Sequence, residues 1–376
     1  MKIFADKNIL AVEANFSRYG ELHLFDGRSV GQTDLVDADA LLVRSITSID
    51  ETLLEGSKVR FVGTATSGVD HVDRAYLRNA GIHFVDAKGS NANAVVDYCF
   101  TALACAALHK GFSFAGSRVG IVGAGAVGGL FAAKLEELGV EVRCYDPFLA
   151  ARGEGELEYY SLETVLECDV ISLHVPLTVS GPYPTLNLIG AKELAALEKN
   201  AILINACRAD VVNELALKLF LSKREDIMTV FDVWADEPTI DSSLAQLIDI
   251  ATPHIAGYSA EAKSNATKIL ARAFEEYFRL GTTPDIQAGE ENSDITVVEN
   301  AAGKLSQWST LLASFPLIEL SEQFKQALRK GEGAEAFDSL REKLLQRREF
   351  ISKTLRRNTY SSDQQQQLSV LGFRFE

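Results

Sequence analysis

The most restrictive feature of this chain is residues 120–147, GIVGAGAVGGLFAAKLEELGVEVRCYDP. An apolar run over 119–122 leads into Gly123-Ala124-Gly125-Ala126-Val127-Gly128. An amphipathic segment follows and stops at Gly139, and a second apolar run over 140–145 ends in Asp146. The order strand, glycine turn, helix, strand fits a βαβ unit, and the glycines fit G-x-G-x-x-G. The first glycine permits the tight turn, the second lets a pyrophosphate approach the backbone, and the third lets helix and strand pack closely. The phosphates then rest at the helix N-terminus. Asp146, about eighteen residues past the last glycine, can accept the ribose hydroxyls and repels a 2′-phosphate, which selects NAD over NADP.

A chain of 376 residues suggests two or three domains. Its net charge of -15 argues against nucleic acid or an acidic membrane as the main partner, though an anionic small molecule answers to local arginines rather than to the total. The five cysteines form no C-x-x-C pair and sit mostly in apolar runs, as buried thiols of a reducing compartment do. No Cys/His spacing suggests a metal. The N-terminus leads straight into a strand-like pattern without an apolar signal region, so a cytoplasmic protein with no membrane partner is expected.

Residues 1 to about 90 alternate short apolar runs with helical stretches, which implies a parallel sheet flanked by helices, but they carry no dinucleotide glycine motif. The alanine-rich run 93–109 reads as a buried helix bridging domains or packing at a subunit interface. Alternation resumes to about 252 and completes a doubly wound sheet, and 259–280 reads as a long connecting helix. A linker with Pro284 and Gly289 and a short strand over 295–298 follow. The tail offers helices near 300–313, 321–329 and 334–357, the last with Phe337, Leu340, Leu344, Ile351 and Leu355 on one stripe, and a final strand over 371–375. The run 364–367, four glutamines, reads as a solvated loop. A tail of this size is expected to bury its stripe against a partner subunit.

Three groups stand at or just beyond strand ends: Arg208 after the run 201–205, Glu237 after 230–234, and His254 in Thr252-Pro253-His254-Ile255-Ala256-Gly257. Ligands of a doubly wound sheet lie outside the carboxyl ends of its strands. Hydride removal from a secondary alcohol needs a base for the hydroxyl proton, which suits an imidazole, while a carboxylate fixes its tautomer and an arginine clamps a carboxylate. His254, Glu237 and Arg208 are the expected base, orienter and clamp. Each alone has a bland reading as a structural histidine, a turn or a solvated charge; their joint placement beside a nucleotide motif argues for chemistry.

The order GAGAVG, Asp146, His174-Val175-Pro176-Leu177-Thr178, Asn205-Ala206-Cys207-Arg208, Asp236-Glu237-Pro238 and Pro253-His254-Ile255-Ala256-Gly257 resembles the D-isomer specific 2-hydroxyacid dehydrogenase family over roughly residues 1–285. The resemblance implies an α/β fold with two doubly wound parallel-sheet domains, Rossmann-like and flavodoxin-like, plus a small α+β C-terminal dimerisation domain. It implies a discontinuous substrate domain over 1–92 and 256–285, an NAD-binding domain over 93–255, and a dimerisation domain over 286–376, with the active site in the cleft between the first two. It further implies NAD as cofactor, a phosphorylated 2-hydroxy acid as substrate and a homodimer. Gly123, Gly125, Ala126, Val127, Gly128, Asp146, Val175, Ala206, Cys207, Arg208, Asp232 and Gly257 would line the NAD site, while Ser45, Thr66 and Tyr258 would contact substrate. Arg44 is a candidate for the phosphate on charge and neighbourhood, or else a charge capping a strand end.

The chain departs from the family pattern at Ala209-Asp210, at Val175 and at Lys88. His174 is expected to position its loop rather than titrate. Two other readings stay open: a dehydrogenase of a different phosphorylated acid such as 3-phosphoglycerate, and a non-catalytic NAD(H)-sensing interaction protein.

Overall fold

The computed structural model describes residues 1–153, 158–281 and 306–376. They divide into two units, one formed by Met1–Asn91 with the segment that starts at Ser259, the other by Ala92–Tyr258 with the C-terminal segment.

In the first unit, strands β1 (Lys2–Asp6), β2 (Glu21–Phe25), β3 (Ala40–Val43), β4 (Phe61–Thr64) and β5 (His83–Asp86) form a parallel sheet in the order β2-β1-β3-β4-β5. This is the flavodoxin-like doubly wound order. Every residue of β3 and β4 is buried, as unbroken apolar runs require when both sheet faces are covered. The helix Ala260–Tyr277 covers one face with Ala266, Leu270 and Phe274. The Phe274 ring meets Phe16 and Phe61 edge-on at 5.5 and 5.4 Å. Pairing of Val43 with Thr64 brings the residues after both strands to one sheet edge.

In the second unit, strands β6 (Arg118–Val122), β7 (Glu141–Tyr145), β8 (Val170–Leu173), β9 (Ile202–Asn205), β10 (Met228–Phe231) and β11 (Ile250–Ala251) form a parallel sheet in the order β11-β10-β9-β8-β6-β7. The chain runs from β6 outward to β7 and then returns to β8 on the other side, so the switch point lies between β6 and β8. The helix Ala92–His109 is long and apolar enough to cross a membrane by length and composition, but 78% of it is buried inside the structure. Its small residues let it pack closely against the helices Ala126–Glu137 and Gln307–Ser314.

The C-terminal segment contributes the helices Gln307–Ser314, Leu317–Lys330, Gly333–Lys343 and Ser362–Leu371, and the short parallel strands β12 (Thr354–Leu355) and β13 (Arg374–Phe375). Phe315, Phe324, Phe337 and Phe350 join one hydrophobic core with the residues of β6, β8, β9 and β10. Polar anchors repeat the attachment. Ser321 Oγ accepts from the Ala251 N–H at 2.9 Å on the edge strand β11, and Lys134 Nζ donates to the Val370 carbonyl at 2.7 Å. Lys325 Nζ donates to the carbonyls of Ile248 and, at 3.0 Å, Asp249. An edge strand covered in this way offers no template for another chain.

Three expectations for the tail are revised. The last long helix ends at Lys343, and short 3-10 turns carry the chain on to β12. Its apolar stripe is buried inside its own unit, with Phe337, Leu340, Leu344 and Leu355 all buried and only Ile351, 46% accessible, pointing out. The glutamine run is helical, because Ser361 accepts from the Gln364 N–H while the Gln364 side chain accepts from the Ser361 N–H, a reciprocal cap that starts the helix Ser362–Leu371. The expected linker and the strand over 295–298 lie outside the described residues, as does the beginning of the helix expected near 300.

Candidate active site

The residues expected to bind NAD follow the carboxyl ends of β6 to β11 in turn: the glycine loop after β6, Asp146 after β7, Val175 after β8, Ala206-Cys207-Arg208 after β9, Asp232 after β10 and Gly257 after β11. The glycine loop is pinned between its neighbours, since the Gly123 N–H donates to Tyr145 O and the His174 N–H donates to Val122 O, both at 2.8 Å.

Each glycine meets a different constraint. Gly123 has φ +93°, and a Cβ there would lie 2.7 Å from Val175 Cγ1 and 2.9 Å from the His174 carbonyl oxygen. A Cβ on Gly128 would lie 1.9 Å from the Gly123 carbonyl oxygen. Around Gly125 nothing lies within 4 Å of such an atom. The outer two glycines are therefore demanded by the fold, whereas the middle one leaves open space where a group can approach the backbone. Gly125 is also the N-cap of the helix Ala126–Glu137 and supplies no side-chain cap, so the helix amides face that space. Asp146 orders the rim: one carboxylate oxygen accepts from Ala124 N–H at 3.1 Å, the other from Leu149 N–H at 3.0 Å. The carboxylate keeps lone pairs for ribose hydroxyls and brings negative charge against a 2′-phosphate. These residues fit a dinucleotide.

Of the three groups expected to carry the chemistry, two are in direct contact. His254 Nδ1 lies 2.7 Å from Glu237 Oε2, and Glu237 Oε1 accepts from the Trp234 N–H at 2.9 Å. His254 and Asp236 both adopt left-handed backbone, with φ of 55° and 57°. Side chains pay for that conformation, and such residues concentrate where function dictates geometry. Arg208 stands at the end of the neighbouring strand, half-buried, with one Nη donating to Cys207 O at 2.7 Å. Its backbone is held by Asn205, whose Nδ2 donates to Arg208 O at 3.1 Å and whose Oδ1 accepts from Cys207 N–H at 3.2 Å. The Ala209-Asp210 departure forms a 3-10 turn directly after an extended Arg208.

Asp232 holds the histidine loop. Its backbone carbonyl accepts from the His254 N–H at 2.7 Å, and its carboxylate accepts from Thr252 Oγ1, Ile255 N–H and Ala256 N–H at 2.7, 2.7 and 2.8 Å. Burial pushes the Asp232 carboxyl up to about 6, against the pull of His254 and these donors. Burial likewise pushes His174 down to about 4, and its Nε2 sits 2.9 Å from Ser172 Oγ, so it is a neutral strut at ordinary pH. The Cys207 thiol is pushed up to about 11 by burial, which keeps it protonated and unreactive. Among the described residues, no cluster of His, Cys, Asp or Glu is arranged to hold a metal ion.

Arg44, Ser45 and Thr66 belong to the first unit, after β3 and β4. Arg44 Nε donates at 2.9 Å to the fully buried Asp6 carboxylate, so part of its guanidinium serves the strand end. Thr66 lies in a hydrogen-bonded row: its hydroxyl donates to Gly68 O at 2.9 Å and is 2.8 Å from Thr64 Oγ1, which is 3.0 Å from His71 Nε2. The supporting hydrogen bonds of Asn205, Thr252 and His71 were not anticipated from sequence. A polar residue inside an otherwise apolar strand run was the available signal for Asn205; nothing in spacing marked the others.

Residues 103–256 match the model of the D-isomer specific 2-hydroxyacid dehydrogenase NAD-binding domain. The chain is 39% identical over 99% of its length to erythronate-4-phosphate dehydrogenase of Hahella chejuensis and 40% identical over its whole length to that of Cellvibrio japonicus, covering 99% and 100% of those proteins. Among solved structures it is similar to NAD+-bound 3-phosphoglycerate dehydrogenase of Entamoeba histolytica, with a TM-score of 0.63 and 26% identity over 75% of this chain and 96% of that one. The chain is thus an NAD-dependent oxidoreductase and belongs to the D-isomer specific 2-hydroxyacid dehydrogenase family.

Proposed function

We propose that this chain oxidises 4-phospho-D-erythronate at C2 to 2-oxo-3-hydroxy-4-phosphobutanoate, a step towards pyridoxal 5′-phosphate. The observation that carries the chemistry is the 2.7 Å contact between His254 Nδ1 and Glu237 beside a dinucleotide-binding loop. A carboxylate accepts only, so Nδ1 carries the proton of the neutral ring and Nε2 is the base. NAD, when bound, accepts the hydride from C2. His254 takes the C2 hydroxyl proton on Nε2, and Glu237 steadies the imidazolium that results. Arg208 is assigned to the substrate carboxylate. Tyr258, Ser45, Thr66 and, with its remaining N–H groups, Arg44 are assigned to the rest of the substrate, on the family resemblance.

The choice of substrate rests on the relatives matched over their full length. A homodimer is proposed on the family resemblance, with support from Leu345 and Ile351, which stay 43% and 46% accessible on the C-terminal segment. A cytoplasmic location is supported by the five cysteines, all buried and free. Mixing the protein with NAD and 4-phosphoerythronate should give NADH in steady turnover, with 3-phosphoglycerate much the poorer substrate. Turnover with 3-phosphoglycerate alone would move the substrate assignment, and absence of even a single turnover with either would remove the catalytic reading.

A further inference from the structure

His254 and Tyr258 share one short loop, and that loop is gripped by opposite charges. Asp232 takes the amides of Ile255 and Ala256, as described. The carbonyls are taken by Arg347, which comes from the C-terminal segment: its Nε donates to Tyr258 O at 2.7 Å and its Nη2 to Ala256 O at 3.2 Å and Ala94 O at 3.3 Å. The Arg347 guanidinium lies 4.2 Å from the centre of the Phe315 ring and 3.8 Å from the Asp97 carboxylate, which accepts from the Phe350 N–H at 2.9 Å. Arg347 and Asp97 are both buried, so the whole clamp is shielded from water.

A second arginine of the same segment reaches the side chain of the loop. Arg341, on the helix Gly333–Lys343, donates to the Tyr258 hydroxyl oxygen from Nε at 3.0 Å and from Nη2, with its guanidinium 5.0 Å from the ring centre. A phenol oxygen that accepts from a guanidinium is fixed in place and directs its own O–H elsewhere, as a donor.

We propose that Arg341 and Arg347 are positioning residues for the dehydrogenase reaction. Arg347 sets the backbone of the loop that carries His254, and Arg341 sets the Tyr258 hydroxyl as a donor towards the anionic substrate. The C-terminal segment is then part of the active site in its own chain, whatever it does in assembly. This inference rests on the reaction and on the role of Tyr258 proposed above.

The test uses the full-length chain and the variants Arg341→Met, Arg341→Lys, Tyr258→Phe and Arg341→Met with Tyr258→Phe, assayed with NAD and 4-phosphoerythronate. Arg341 is partly exposed, so these variants are expected to fold. Arg341→Met should raise KM for the acid about tenfold, the loss of one charge-assisted hydrogen bond, with KM for NAD and the sedimentation mass unchanged. Arg341→Lys should recover part of the loss, and Arg341→Met should add little in the Tyr258→Phe background. An unchanged KM for the acid, or effects that multiply in the double variant, would overturn the inference. Arg347→Met should lower kcat while NAD binding persists; a soluble Arg347→Met enzyme with full kcat overturns its half of the proposal, and if that variant does not fold the Arg341 series decides. A wild-type chain without turnover would instead defeat the reaction itself.

Discussion

Glu237 uses its two oxygens for two donors, the Trp234 amide and His254 Nδ1. Glutamine in its place must give its one oxygen to a single donor. If the oxygen stays with Trp234, the amide NH2 faces Nδ1 and drives the ring proton to Nε2, the nitrogen proposed as the base. Glu237→Gln is therefore expected to lower kcat about a hundredfold or more with NAD affinity unchanged, and His254→Ala to abolish turnover while NAD still binds. Stopped-flow NADH formation beside fluorescence titration of the cofactor checks both, and a Glu237→Gln enzyme at full rate would detach Glu237 from the reaction. At this scale the meeting of His254 and Glu237 was legible because each follows a strand end, where a doubly wound sheet displays its ligands. Arg341 and Arg347 were not, since they lie more than eighty positions beyond the loop they hold and have no periodicity that singles them out. Nor could sequence tell that the Asp232 carboxylate is engaged by the loop amides, because burial of one carboxylate is settled by tertiary packing.

The glycine loop makes a prediction about an element. Gly125 has open space at its missing Cβ and φ of -72°, which any residue adopts, whereas Gly128 abuts the Gly123 carbonyl. Gly125→Ala should fold with an unchanged thermal midpoint yet weaken NAD binding at least about tenfold, because its methyl occupies the space left for the pyrophosphate. Gly128→Ala should destabilise the unit itself, since helix and strand must separate. Calorimetry with and without NAD distinguishes the two, and equal loss of stability in both would refute the division of labour among the glycines. Strands and this helix were readable from apolar runs and turn residues, which act locally. The tail was harder. The stripe over 337–355 has helical spacing, but burial of Phe350 and Leu355 in a shared core breaks the chain into short turns after Lys343. The helix at the glutamine run was announced by Ser361 and Gln364, a start signal that composition alone conceals.

Because Phe315, Phe324, Phe337 and Phe350 share a core with the nucleotide-binding sheet, a chain ending at Gly281 leaves that core without a large part of its apolar cover. Such a chain is expected to aggregate or to melt without a cooperative transition rather than behave as a dehydrogenase short of an assembly module. Circular dichroism melts and light scattering decide, and a soluble truncated chain with a sharp transition would show the two parts to be separable. The same packing gives the whole molecule a pH signature. Burial pushes the Asp97 carboxyl from the ordinary 3.8 up to about 7, with Arg347 opposing. The native state thus holds a proton between about pH 4 and pH 7 that the unfolded chain has released, so this contribution to stability is full at low pH and is lost as pH rises through about 7. Urea midpoints of the wild type and Asp97→Asn should therefore diverge as pH is raised from about 5 to about 8, the wild type losing ground. A difference independent of pH would contradict the shift.

Phe373 is 3% exposed and belongs to the core of the nucleotide-binding unit, far beyond His254 in chain order. During synthesis that residue leaves the ribosome only after the glycine loop and His254 have emerged. The core that supports the histidine loop is therefore complete only once Phe373 has emerged. A translation product interrupted before Phe373 is expected to lack that support and to be cleared by proteolysis rather than to act as a slow enzyme.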